Sequence, residues 1–210
     1  MTTADDSPAT AEKILVIACG ALVRELRVVL DQLGSDKVEF TVEYLPANLH
    51  NRPEHIPGRV CAIIDGRGDA FDRVLVGYAD CGTGGLLNAA LAGTNAVMLP
   101  GAHCYDFLAG ADIFAAWHEA ELGTFYLTDF LVRNFDALVI SGLGLDHHPE
   151  LRDMYFGNYR RVLLLTQSDD PALIPLGQAA AAKLGLSFEH HHVGLETFAA
   201  SVGDMLTGNA

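Results

Sequence analysis

Short apolar runs that stop at a glycine-bearing loop and give way to a helical pattern are the strongest constraint in this chain. Residues 14–18 read ILVIA, 73–79 read RVLVGYA and 96–99 read AVML. Unbroken apolar runs of this length suit strands covered on both faces, as in a parallel sheet flanked by helices. Between them, residues 21–33 carry Leu22, Leu26, Val29, Leu30 and Leu33 at helical spacing and stop at Gly34. Residues 38–44 alternate as a second strand, 53–64 place Ile56, Val60, Ile63 and Ile64 on one helical face, and a further helix opens near Leu86. In the C-terminal half, 126–134 and 149–158 have helical patterns, and 137–140 fits a short strand or a helix end. Strands at 161–165 and 187–193 flank an Ala-rich helix over 171–184 that Gly185 ends. This alternation predicts an α/β fold with an open, mainly parallel sheet and helices on both faces, a Rossmann-like three-layer sandwich. With no internal repeat and no Pro-, Gly- or Ser-rich linker, residues 1–12 read as a disordered leader and 13–210 as a single α/β domain.

Composition narrows the partners. The 210 residues are 50% hydrophobic, too apolar for intrinsic disorder. Lys and Arg number 13 against 27 Asp and Glu, giving a net charge of −14, which argues against a nucleic-acid or anionic-membrane partner. The opening MTTADDSPATA lacks the basic and apolar regions of a signal peptide, and no apolar run is long enough to span a bilayer. A cytoplasmic location follows as an expectation. Thiols stay reduced there, and conspicuous cysteines tend to be ligands or nucleophiles.

Three of the four cysteines share a structural address. Cys19, Cys81 and Cys104 each lie just beyond an apolar run, with a glycine within three residues. In open parallel sheets all strand carboxyl ends meet along one edge, where ligands bind, so these thiols converge if their strands are neighbours. Cys61 sits among Val60, Ala62 and Ile63 in a helical pattern and reads as a small core filler. Three thiols with the imidazole of His103 match the ligands of a soft divalent metal, and a Zn²⁺ held by three protein ligands keeps one position open. Three thiolates alone also suit a [4Fe–4S] cluster with one free iron. A nucleophilic or redox-active cysteine and inert structural cysteines stay open beside these readings.

The loop Cys81-Gly82-Thr83-Gly84-Gly85 runs into a helix, so its backbone N–H groups are candidates to cradle an anion, and the helix dipole would favour a Cys81 thiolate. Its glycine spacing fits neither a Walker loop nor a dinucleotide fingerprint, and a tight strand-to-helix turn is the plainer reading. Asp80 and Asp106 flank the cysteine loops and are the candidate acid–base residues. The pairs and triplets of histidine read as surface or packing groups: His147-His148 precede a Pro149 helix start. On a strand, His190 and His192 share one face while His191 takes the other.

Several long strings add a resemblance. YADCGTGG, PGAHCYDF, GTFYLTDFLVRNF, GLDHHPELRDMYFGNYRRVLLLTQSDD and LPANLHNRPEHIP together resemble a bacterial and archaeal family designated domain of unknown function 1638 (DUF1638). The resemblance runs from about Ile14 across nearly the whole chain, with Ala79 where members usually carry Gly. Other branches carry His-Asp-Cys in place of the adjacent His103 and Cys104. It implies an association with corrinoid-dependent methyltransferase systems. The combined expectation is a metal-thiolate enzyme of methyl or one-carbon metabolism, with Zn²⁺ ahead of a [4Fe–4S] cluster. Cys19, Cys81 and Cys104 would be ligands, with His103 a fourth ligand or supporting group. Gly82, Thr83, Gly84 and Gly85 would bind an anionic part of a small-molecule substrate or corrinoid protein. A non-enzymatic accessory protein that stores or delivers a metal or cofactor, and a homo-oligomer, complete the expectations.

Overall fold

A computed structural model of the chain describes residues 11–208. The expected leader, up to residue 10, lies outside them, and the first strand already begins at Glu12. The first half runs β1 (Glu12–Cys19), α1 (Val23–Leu33), β2 (Val38–Leu45), α2 (Ile56–Arg67), β3 (Arg73–Gly77), α3 (Leu86–Leu91) and β4 (Ala96–Met98). The second runs α4 (Cys104–Ala109), α5 (Ala111–Ala120), β5 (Thr124–Thr128), α6 (Asp129–Arg133), α7 (Leu151–Phe156), β6 (Arg161–Thr166), α8 (Leu173–Leu184), β7 (Ser187–His192) and α9 (Glu196–Thr207).

The fold is α/β, and every strand pairing within the sheets is parallel, as the apolar runs required. The strands divide into two open sheets, ordered β2-β1-β3-β4 and β5-β6-β7. In β1, Ile14 to Ala18 are all buried, because the strand is central and covered on both faces. Leu22, Leu26, Val29 and Leu30 pack from the α1 side against Ile14, Val16 and Leu75. On the other face Ile56 and Val60 of α2 and Leu87 and Leu91 of α3 cover Leu15, Ile17, Val74 and Val76. The second sheet has its own core, in which Leu127, Val162 and Leu164 meet Leu131, Leu173, Ala180, Ala181 and Leu184.

The chain crosses between the sheets twice. Phe107 and Leu108 of α4 belong to the first core, whereas Phe114 of α5 packs with Tyr126, Leu163 and Leu165 of the second sheet. At the other end α9 returns to the first core through Phe198, Val202 and Met205, with the Phe198 ring stacked on Phe107 at 5.2 Å. The Arg73 guanidinium donates to the Leu206 carbonyl at 2.5 Å and to the Met205 carbonyl, so a cation caps the last turn of α9.

Three segments differ from the sequence reading. The helical pattern over 126–134 is β5 followed by the one-turn α6; Thr124, Tyr126, Leu127 and Thr128 are buried, so sheet pairing with β6 overrides the local periodicity. The ambiguous stretch 137–140 lies in a π-helix, Asp136–Ser141. Helix α9 went unrecognised, because its apolar stripe gains meaning only against a sheet more than a hundred residues earlier in the chain.

Gly177 is where α8 approaches β6 and β7 most closely: a Cβ there would lie 2.5 Å from the Phe188 ring and 2.9 Å from Leu164. Gly177→Val overpacks this contact and should destabilise the chain by about 1–3 kcal/mol, read as a lower urea midpoint. An unchanged midpoint would contradict the packing described.

Candidate functional site

Parallel pairing puts the ends of β1 and β3 side by side, in register through Ala18 and Gly77. Cys19 is the last residue of β1, and its sulfur accepts the Ala21 N–H at 3.5 Å. Beyond β3 the chain is held to the loop after β4: Asp80 N–H donates to the Gly101 carbonyl at 3.1 Å, and Cys81 N–H to the Ala102 carbonyl at 2.9 Å. Cys81 itself has a φ of +48°, the one non-glycine residue in the left-handed region among those described, a strained backbone of the kind found at functional sites. Cys104 opens α4 directly after the tethered loop.

The three thiols therefore line one cavity of about 40 Å³, together with Ala21, Leu22, His50, Ile56, Tyr78, Leu108, Thr128 and Leu131. Thr128 and Leu131 come from the end of β5 and from α6, so the second sheet closes the far wall. Cys61 is elsewhere, in α2 with its thiol 3.8 Å from the Ala90 carbonyl.

Cys81 and Cys104 are coupled. Interaction between the two neighbouring thiols lowers the Cys81 pKa and raises that of Cys104, whose burial raises it further. Cys81 is thereby the more acidic thiol of the pair. Cys19 is raised, chiefly by burial. The Tyr78 hydroxyl is buried beside Cys19 without a hydrogen bond of ordinary geometry, and burial drives its pKa far up. His50 reaches the cavity from the 3₁₀ turn Ala47–Asn51, and burial of its ring, with His103 nearby, lowers its pKa.

The remaining residues expected at the site stand around the cavity rather than in it. Both Asp80 carboxylate oxygens accept hydrogen bonds from the glycine loop: Thr83 Oγ1 at 2.7 Å, Gly84 N–H at 3.0 Å and Gly85 N–H at 2.6 Å. These bonds hold the Asp80 carboxyl below the usual range. The Gly84 and Gly85 backbone donors expected to cradle an external anion are thereby engaged by the chain's own carboxylate. Asp106 accepts the His103 N–H at 2.8 Å and completes a capping box at the start of α4. His103 is exposed, with its ring 6.1 Å from that of Phe114, and does not line the cavity. Sequence reasoning had passed over His50, Tyr78 and Thr128. His50 stood in one of the family-like strings, yet nothing local tied it to the cysteines.

Among the described residues no group of three or more His, Cys, Asp or Glu side chains is arranged to hold a metal ion. The three thiols nonetheless line one cavity. Nor, among the described residues, is any helix long and apolar enough to cross a membrane.

Beside the cavity a carboxylate network ties the second sheet together. The buried Asp129 accepts the Gln167 N–H at 2.9 Å and the Ser168 N–H at 3.1 Å, and Gln167 Oε1 accepts the Asp129 N–H in return. Across the seam lies Glu25, also buried, and burial raises its pKa.

A family model described as Protein of unknown function (DUF1638) matches residues 44–202. That stretch contains His50, Tyr78, Cys81 and Cys104 and begins after Cys19, later than the resemblance from about Ile14. Searches of curated proteins and of solved structures find no match.

Because the folded pKa of Glu25 lies above its unfolded value near 4.5, its ionised form weakens the fold. That contribution favours folding most below the unfolded value, and it declines as pH rises through the folded one. Glu25→Gln should therefore be more stable than the parent at pH 7, with the gap closing towards pH 4 in urea titrations. A gap of equal size at both pH values would count against an ionisation effect.

Proposed function

The chain belongs to the DUF1638 family, and on that footing we propose that Cys19, Cys81 and Cys104 form a soft-metal thiolate site, with Zn²⁺ the favoured ion. The observation that carries this reading is the arrival of three thiols, from three separate strand or loop ends, in one cavity. An all-sulfur donor set suits Zn²⁺ or an iron–sulfur centre. Size separates the two. A cavity of about 40 Å³ is room for a water or two, which suits one ion and one small ligand atom, whereas a cluster of four irons and four sulfides needs the walls to move. The unpartnered Tyr78 hydroxyl is a polar group for that small ligand to meet.

A zinc ion bound there would supply Lewis acidity that keeps a ligating substrate thiol ionised. The protein's part is to give up the thiol protons of Cys19, Cys81 and Cys104 on loading, which makes uptake pH-dependent. The apolar walls from Leu22, Ile56, Leu108 and Leu131 exclude water. His50 stands neutral at the cavity, able to take the proton of an incoming thiol. Methyl or one-carbon transfer, with a small thiol or a corrinoid protein as the partner, extends this reading by way of the family resemblance alone. Free thiols of this kind suit a reducing, cytoplasmic compartment.

The placement of Cys81 beside Cys104 in the cavity, with the Cys81 pKa lowered, favours a second reading, a metal-free thiol pair that reacts through Cys81. Cys19 separates the two. Anaerobically purified protein should carry about one equivalent of zinc, and Cys19→Ser, Cys81→Ser and Cys104→Ser should each lose it while Cys61→Ser keeps it. Absence of metal from the parent protein, with iodoacetamide modifying Cys81 selectively and equally in the parent and in Cys19→Ser, would replace the metal reading with the thiol pair.

A further inference from the structure

The histidine triplet at the end of β7 does more than decorate a strand. Alternation along β7 puts His190 and His192 on one face, and both imidazoles aim at the same atom: Thr166 Oγ1 lies 2.9 Å from His190 Nε2 and 3.1 Å from His192 Nδ1. His191 points the other way, its ring 4.7 Å from that of Trp117. We infer that His190 and His192 form a metal-binding site separate from the thiol cavity, a two-imidazole chelate for a borderline divalent cation such as Zn²⁺ or Ni²⁺.

The hydroxyl of Thr166 has one proton, so it can donate to only one of the two nitrogens. The Asp169 carboxylate stands 3.8 Å from the other nitrogen of His192, Nε2, beyond hydrogen-bond distance, while Nδ1 faces Thr166. The neutral form needed for ligation is favoured at His190, where burial and then the neighbouring His191 and His192 lower the pKa. The Thr166 oxygen can accept from His190 Nε2–H while its proton goes to His192 Nδ1; a cation between the rings would instead take the lone pair of each nitrogen, with the His190 proton on Nδ1.

No third His, Cys, Asp or Glu completes the set among the described residues, so water or a ligand fills the remaining positions. The pair also stands on the strand-end edge that carries Thr128 of the thiol cavity, since β5, β6 and β7 are parallel neighbours. In such sheets that edge is where ligands bind.

Titration of the full chain with Zn²⁺, followed by the imidazole ¹⁵N and ¹³C shifts of each histidine, tests the site. The expected result is joint perturbation of His190 Nε2 and His192 Nδ1 before any change at His147, His148 or His191. His190→Gln and His192→Gln should each weaken that response at least about tenfold, and His191→Gln should leave it. Zinc taken up by the cysteines does not register at these imidazoles, so this site and the thiol site stand or fall separately. Uniform perturbation of all the exposed histidines, or none at His190 and His192, would overturn the assignment.

Discussion

Parallel pairing of β1 with both neighbours is the constraint from which the site follows. Register through Cys19 and Leu45 on one side, and through Ala18 and Gly77 on the other, delivers three chain exits to a single edge. Gly77 permits the approach: a Cβ there would come within 2.9 Å of the Ala18 side chain. What happens beyond the strands is then fixed by two backbone hydrogen bonds, from Asp80 and Cys81 to the Gly101 and Ala102 carbonyls. They hold the loops after β3 and β4 together and bring Cys81 to Cys104, with the left-handed Cys81 backbone turning its thiol to the cavity.

The cavity is a property of both sheets. Its near wall belongs to the first half and its far wall to Thr128 and Leu131 of the second. Two features hold that seam in place. Helix α9 returns to the first core with Arg73 at its last carbonyls, and the rings of Tyr105, Phe114 and Tyr126 cluster between the halves, with Tyr105 Oη donating to the Tyr126 carbonyl at 3.3 Å. Changes that loosen either contact should reach the thiols without touching them.

Electrostatics in the site are local rather than global. A net charge of −14 would suit cation capture in a general way, yet the Cys81 pKa is lowered chiefly by one neighbouring thiol. The glycine loop illustrates the same point. Its backbone donors look available in the sequence, but Asp80, three to five residues earlier, already accepts from Thr83, Gly84 and Gly85. A short carboxylate folded back on its own loop competes with any external anion.

By itself the sequence determined the α/β class, the four strands of the first sheet, β6 and β7 of the second with α8 between them, and the separation of Cys61 from the other cysteines. Each of these is local: an apolar run long enough to be covered twice, or a thiol placed inside a helix face rather than at a strand end. It also placed His190 and His192 on one face, since strand alternation needs no partner to be read. Tertiary structure alone decided the rest. TFYLT became β5 only because β6 was there to pair with it, and the apolar stripe of α9 found its partner in the first core. His50 joined the cysteines, and His103 did not, because a cavity collects residues by chain path through space. Residue pattern tells which atoms leave water; which atoms they then meet is fixed by long-range packing.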